Sequence, residues 1–180
     1  MNKFTSLSMG WSRGKDFIPS GIIRKIDNSY FNHVFWVFEL SDGVRLMYES
    51  HLSGGVQITP YEQLLKAWKG GKVLDFYEKC MDFTDDEIER VWDSCVTLHG
   101  DGYDKGQIIR YYLWTKCFKR KTERVLRLYD DGKYTCNELV VTSVRANVDR
   151  MACLDYSYTP EMLFMFEHSG RRSKDVFEGV

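Results

Sequence analysis

No run of apolar residues in this chain approaches the roughly 20 that a membrane-spanning helix needs. The first residues, MNKFTSLSMGW, lack the apolar segment of a secretory signal. The expectation is a cytoplasmic protein without a membrane span. An excess of charge of one sign is also missing. There are 25 basic and 26 acidic side chains, a net charge of −1, whereas a dedicated nucleic-acid binder carries a basic excess. The clusters Lys119-Arg120-Lys121 and Arg171-Arg172 read as solvated faces. Cysteine spacing of the C-x-x-C kind is absent, and the five cysteines are odd in number. A disulfide framework and a zinc knuckle are therefore both disfavoured, the thiols are expected reduced, and no cofactor is predicted. Proline is scarce, at positions 19, 60 and 160 only, and no linker, repeat or low-complexity stretch interrupts the chain. One domain over residues 1–180 is the simplest organisation.

What is present is material for a core: 43% hydrophobic and 15% aromatic residues in a chain of 180. Lys3 to Leu7 reads as a short strand, and Ile18 to Ile26 has helical spacing with Pro19 in its first turn. Val34 to Leu40 (VFWVFEL) and Val44 to Ser50 are strands separated by the turn Ser41-Asp42-Gly43, and so form a hairpin. Val56 to Thr59 adds a strand, Pro60 to Trp68 a helix stopped by Gly70-Gly71, and Val73 to Tyr77 another strand. Thr84 and Glu87 form a capping box for a helix to about Leu98. After the loop His99-Gly100-Asp101-Gly102, a helix is expected from Lys105 to Phe118, and a last one starts at Thr159-Pro160-Glu161. Strands and helices do not alternate, so the class is α+β rather than a doubly wound sheet.

Two features carry chemistry. The stretch GKYTCNELVV, Gly132 to Val141, delivers Cys136 to the start of an apolar segment. Residues 137–148 fit a helix with Val140, Val144 and Val148 on one face, although the valines and Thr142 also suit a strand. In a first helical turn, unpaired N–H groups and the helix dipole favour a thiolate and can hold an oxyanion. The competing reading is a small buried hydrophobe, the commoner fate of a free cysteine. Cys80, Cys95, Cys117 and Cys153 fit that second reading better.

A cysteine nucleophile needs a base, and the base needs an orienting group. His99 lies in a glycine loop and His168 near a helix end, but His33 opens the most hydrophobic strand of the chain. A three-residue hairpin loop with Gly43 left-handed pairs Leu40 with Val44, and therefore Phe35 with Glu49. That register puts His33, Phe35, Glu49 and His51 on one face, with Glu49 diagonal to His33. A two-residue loop would send Glu49 to the other face.

The order of these motifs resembles a known family. Asn32-His33-Val34 stands on one strand and Tyr48-Glu49-Ser50 on the next. Gly54-Gly55-Val56, Gly102-Tyr103-Asp104 and Cys136-Asn137-Glu138-Leu139-Val140 follow, and Thr159-Pro160-Glu161 comes last. Over roughly residues 15 to 165 this looks like the circularly permuted papain-like hydrolases of the NlpC cell-wall peptidase superfamily, in which the histidine strand precedes the cysteine helix. The chain departs from their pattern at Asn32, where serine is commoner, and in lacking a Gly-Asp strand start. The resemblance implies a small antiparallel sheet packed against helices. It also implies a thiol hydrolase site with Cys136 as nucleophile, His33 as general base and Glu49 orienting the imidazole. Tyr103 and Asp104 match a motif bordering the site, with Tyr103 a candidate for substrate binding. The substrate class implied is a small peptide, amide or acyl compound, including cell-wall peptides. A lipid-directed acyltransferase or thioesterase on the same fold is the nearest rival. A non-catalytic structural or interaction module is another. A zinc site built from the same three side chains has no spacing motif behind it.

Overall fold

The computed structural model describes residues 3–15, 30–106, 132–152, 154 and 163–164. The helices expected over 18–26 and after Thr159, all but the first two residues of the one expected from Lys105, both basic clusters, Cys117, Cys153 and His168 lie outside these ranges. The architecture is mixed α and β. Its strands β1 (Phe4–Gly14), β2 (His33–Leu40), β3 (Arg45–His51), β4 (Gly55–Pro60) and β5 (Val73–Cys80) form one antiparallel sheet in the order β4-β3-β2-β1-β5. The described helices are α1 (Glu62–Lys69), α2 (Asp85–Thr97) and α3 (Cys136–Arg145).

The hairpin has the register expected for a three-residue loop. Trp36 faces Tyr48 and Glu39 faces Arg45. The Leu40 N–H donates to the Val44 carbonyl at 2.8 Å, and Gly43 sits at φ +83°. A side chain there would be strained, which is why glycine closes this loop. β2 alternates between two apolar environments. Val34, Trp36 and Phe38 join the main core with α2 and α3, while Phe35 and Val37 pack with Met47, Tyr61 and Leu64 beneath α1. Being buried on both faces, this strand reads as a continuous apolar run rather than an alternating one. Each of its large side chains contributes about 1.5–3 kcal/mol by leaving water.

One expectation needs correction. β1 does not end near Leu7 but runs to Gly14, pairing with β2 on one side and β5 on the other. Its period-two pattern is plain in Leu7, Met9 and Trp11, all buried in the main core, with Ser8, Gly10 and Ser12 between them. Serine and glycine are poor strand formers by propensity. Glycine is used at position 10 because Phe35 lies so close over it that a Cβ would overlap its ring. Tertiary packing overrides the local preference.

α3 is fastened to the sheet by a buried polar bond, from the Trp36 indole N–H to Ser143 Oγ at 2.8 Å. α2 begins at the expected capping box. Thr84 N–H donates to Glu87 Oε2 at 2.8 Å, and Glu87 N–H to Thr84 Oγ1 at 3.3 Å. Among the described residues no helix is long and apolar enough to cross a membrane.

Candidate active site

Cys136 is the first residue of α3, behind Gly132 at φ +68° and the cap Thr135 in extended conformation. The helical reading of this segment therefore holds as far as Arg145, short of the expected Val148, and the valine pattern places Val140 and Val144 in the core. Two short bridges bring the nucleophile candidate to the end of the sheet. Gly102-Tyr103 (β6) pairs in parallel with Lys133-Tyr134 (β7). The Ser50 hydroxyl of β3 donates to the Tyr134 carbonyl at 2.6 Å. The segment leading into α3 is thus tied to β3, the strand that carries Glu49.

At that end the three side chains meet. His33 Nε2 lies 2.7 Å from Glu49 Oε2. The Glu49 side chain is 9% exposed and that of His33 21%. The carboxylate only accepts, so the proton of this bond sits on Nε2. The Cys136 side chain lies near enough to the ring to act, with Glu49, on its protonation. With Nε2 taken by the carboxylate, Nδ1 is the nitrogen left for another partner. Burial opposes a charge on His33, but the bonds and negative charges of Cys136 and Glu49 outweigh it, and its pKa is pushed up to about 10. Burial likewise opposes charge on Glu49, yet His33, with Gln57 and His51 assisting, holds its carboxyl below the ordinary value.

These shifts fix a pH window. A raised histidine stabilises the fold fully below its ordinary 6.5, and that contribution is lost as pH rises through about 10. A lowered carboxyl contributes above its ordinary 4.5 and is lost as pH falls below it. The interaction is at full strength between these values and largely intact at neutral pH. The ring C–H resonances of His33 are accordingly expected to stay at the imidazolium position through pH 8. They should titrate near 10 in the wild type and at lower pH in Glu49→Gln. An NMR midpoint at or below 6.5 in the wild type would rule out the ion pair.

Tyr103 borders the site. Burial, then the negative charges of Cys136, Glu138 and Asp104, raise its phenol well above the ordinary value, so it remains an O–H donor. The structure thus brings Cys136, His33 and Glu49 together with Tyr103 alongside. Cys95 is buried in the main core and burial pushes its thiol up, while Cys80 is exposed.

Three contributors were missed from sequence. Thr135-x-x-Glu138 is a capping box. The Thr135 N–H and hydroxyl both donate to Glu138 Oε2, each at 2.8 Å, inside the protein. The T-C-N-E string carried that signal. Ser50 stands in the Tyr48-Glu49-Ser50 string with no local sign of its bond to Tyr134. Gln57, directly across from Glu49 on β4, donates from Nε2 to Glu49 Oε1 at 3.1 Å. It was legible only once the β3–β4 register was known. No group of three or more His, Cys, Asp or Glu side chains among the described residues is arranged to hold a metal ion. Compared with protein-family models and with curated protein sequences, the chain matches none.

Proposed function

We propose that the protein is a cysteine hydrolase acting on an amide or acyl bond, with Cys136 as nucleophile, His33 as its acid–base partner and Glu49 as the group that orients the imidazole. The observation that carries this reading is the His33 ring, hydrogen-bonded to the buried Glu49 carboxylate and close enough to Cys136 for the thiol to act on its charge. The order of elements, with the histidine strand before the cysteine helix, supports reading the chain as a circularly permuted papain-like fold.

The chemistry follows from the charges. The Cys136 thiolate attacks the acyl carbon, and the first-turn N–H groups of α3 stabilise the oxyanion. His33 starts as imidazolium and gives its proton to the departing amine or alkoxide, leaving a thioester on Cys136. Neutral His33 then takes a proton from water, whose oxygen attacks the thioester. The acid leaves, and the imidazolium–thiolate pair is restored. Glu49 keeps the ring in the tautomer and orientation that both steps require. A module retained for interaction alone offers no reason to bury a carboxylate against an imidazole beside a thiol.

The test uses p-nitrophenyl acyl esters and peptide p-nitroanilides as acyl donors, with peptide mapping of the adduct. A hydroxylamine-sensitive acyl group on Cys136 is expected, with turnover in the wild type and none in Cys136→Ala. Exposed Cys80 supplies the internal comparison. Acylation that is no faster at Cys136 than at Cys80, or turnover that survives Cys136→Ala, would overturn the assignment.

A further inference from the structure

The carboxylate of Glu49 has two oxygens, and only one meets His33. Oε2 accepts from the imidazole at 2.7 Å, while Oε1 accepts from the Gln57 amide at 3.1 Å. Gln57 is Glu49's direct partner across the β3–β4 pair, so both carboxylate oxygens are held, one from β2 and one from β4. Two neighbouring strands thereby fix the rotation of a side chain whose terminal torsion is otherwise soft.

The turn before β4 makes room for this. A Cβ on Gly54 would stand 2.5 Å from Gln57 Oε1 and 3.3 Å from its Cδ. Gly54 is not among the glycines with positive φ, so backbone conformation does not demand glycine there. What glycine leaves free is the space into which the amide folds back, its oxygen toward the turn and its NH2 toward Glu49. This orientation is the only one available to the amide, because a carboxylate accepts and never donates.

We propose that Gln57 is a positioning residue for the site, holding the Glu49 carboxylate in the plane that His33 needs, and that Gly54 is kept bare so that the Gln57 amide can reach it. This rests on the reading of Cys136, His33 and Glu49 as one site, and it extends that chain to a fourth member. The amide stabilises the ionised carboxylate, so its loss makes Glu49 easier to protonate. The charged or titratable groups that act on Glu49 are His33 from β2 and His51 at the end of β3, with Cys136 of α3 acting through His33. Neither histidine is itself substituted in Gln57→Met.

The experiment follows the side-chain carboxyl 13C resonance of Glu49 through an acid titration in the full-length protein. Gln57→Met keeps length and packing without the amide. The midpoint is expected to rise by about 0.5–1 unit, the size of a single hydrogen bond to a charged group shared with solvent. Gly54→Ala is expected to raise it in the same direction, and the double variant no further than Gln57→Met alone. The acid limb of iodoacetamide labelling at Cys136 should move with it, whereas a purely structural change would leave both where they are. A Glu49 midpoint within about 0.2 unit of wild type in Gln57→Met, a Gly54→Ala midpoint that does not move, or a fully additive double variant overturns the proposal. This readout stands apart from turnover. A protein that never acylates Cys136 defeats the hydrolase reading and leaves the Glu49 titration to decide on Gln57.

Discussion

His33→Ala is expected to slow iodoacetamide alkylation of Cys136 at pH 6 by roughly 10- to 100-fold, while alkylation of Cys80 stays unchanged. At that pH an ordinary thiol is thiolate for well under one part in a hundred, and only the thiolate alkylates. The His33 charge is what the site adds, and it persists at pH 6 because Cys136 and Glu49 hold it there. A unit charge at hydrogen-bonding range in a half-wet site contributes about 2–4 kcal/mol. A free-energy difference of that size corresponds to more than a tenfold change in rate. Part of this is offset, because a more stable thiolate is a weaker nucleophile. Glu49→Gln should give a smaller loss, about 3- to 10-fold, since the ring remains but its charge is less well held. The measurement is a competition between Cys136 and Cys80 within one molecule, read by peptide mapping. Equal rates in wild type and His33→Ala would mean that the imidazole does not govern the thiol.

Glu138→Ala should lower the folding free energy by about 2–4 kcal/mol and loosen the site at the same time. The same motif occurs twice in this chain, which gives an internal control. At α2, Thr84 is exposed, and water can take over its N–H when Glu87 is removed. At α3, Glu138 is 2% exposed and accepts from both the N–H and the hydroxyl of Thr135. Removing it deletes a cap, worth about 1 kcal/mol. It also leaves a buried N–H without a partner, worth about 1–3 kcal/mol more. Glu87→Ala should therefore lose only about 0.5–1 kcal/mol. Urea unfolding with unchanged slope measures both. Because Cys136 follows Thr135 directly, fraying of this turn should also bring its alkylation rate toward that of Cys80. Equal losses of stability in the two variants would show that burial of the cap is not what matters.

Local signals were legible in the sequence and non-local ones were not. Gly43 fixed the loop length, the loop length fixed the register, and the register put Glu49 within reach of His33 across two strands. Cys136 at a helix start was likewise readable, because the glycine turn and the 3.6-residue spacing of valines are both short-range. Chain order suggested that histidine and thiol face each other, but no local pattern brought α3 to the end of β2. That approach depends on the two-residue β6–β7 ladder, the Ser50–Tyr134 bond and the Trp36–Ser143 bond, each joining residues far apart in sequence. The full length of β1 is hidden in the sequence for a related reason. Ser8, Gly10 and Ser12 look like loop until the pairing with β2 and β5 is known and Phe35 is laid over Gly10. Gln57 shows the same limit, since a glutamine on a strand has no special signature before its neighbour across the ladder is known.

The strand order has a consequence for biosynthesis. All five strands of the main sheet end by Cys80, and the histidine and its carboxylate both lie in that first part. Cys136 is made last of the three. At roughly 5–20 residues per second, the sheet and its His33–Glu49 pair leave the ribosome several seconds ahead of the thiol. During that interval the nascent chain carries the imidazole and the carboxylate without the thiol, so the three side chains come together only when α3 docks. A chain that stops before α3 therefore holds the His33–Glu49 pair without Cys136 beside it.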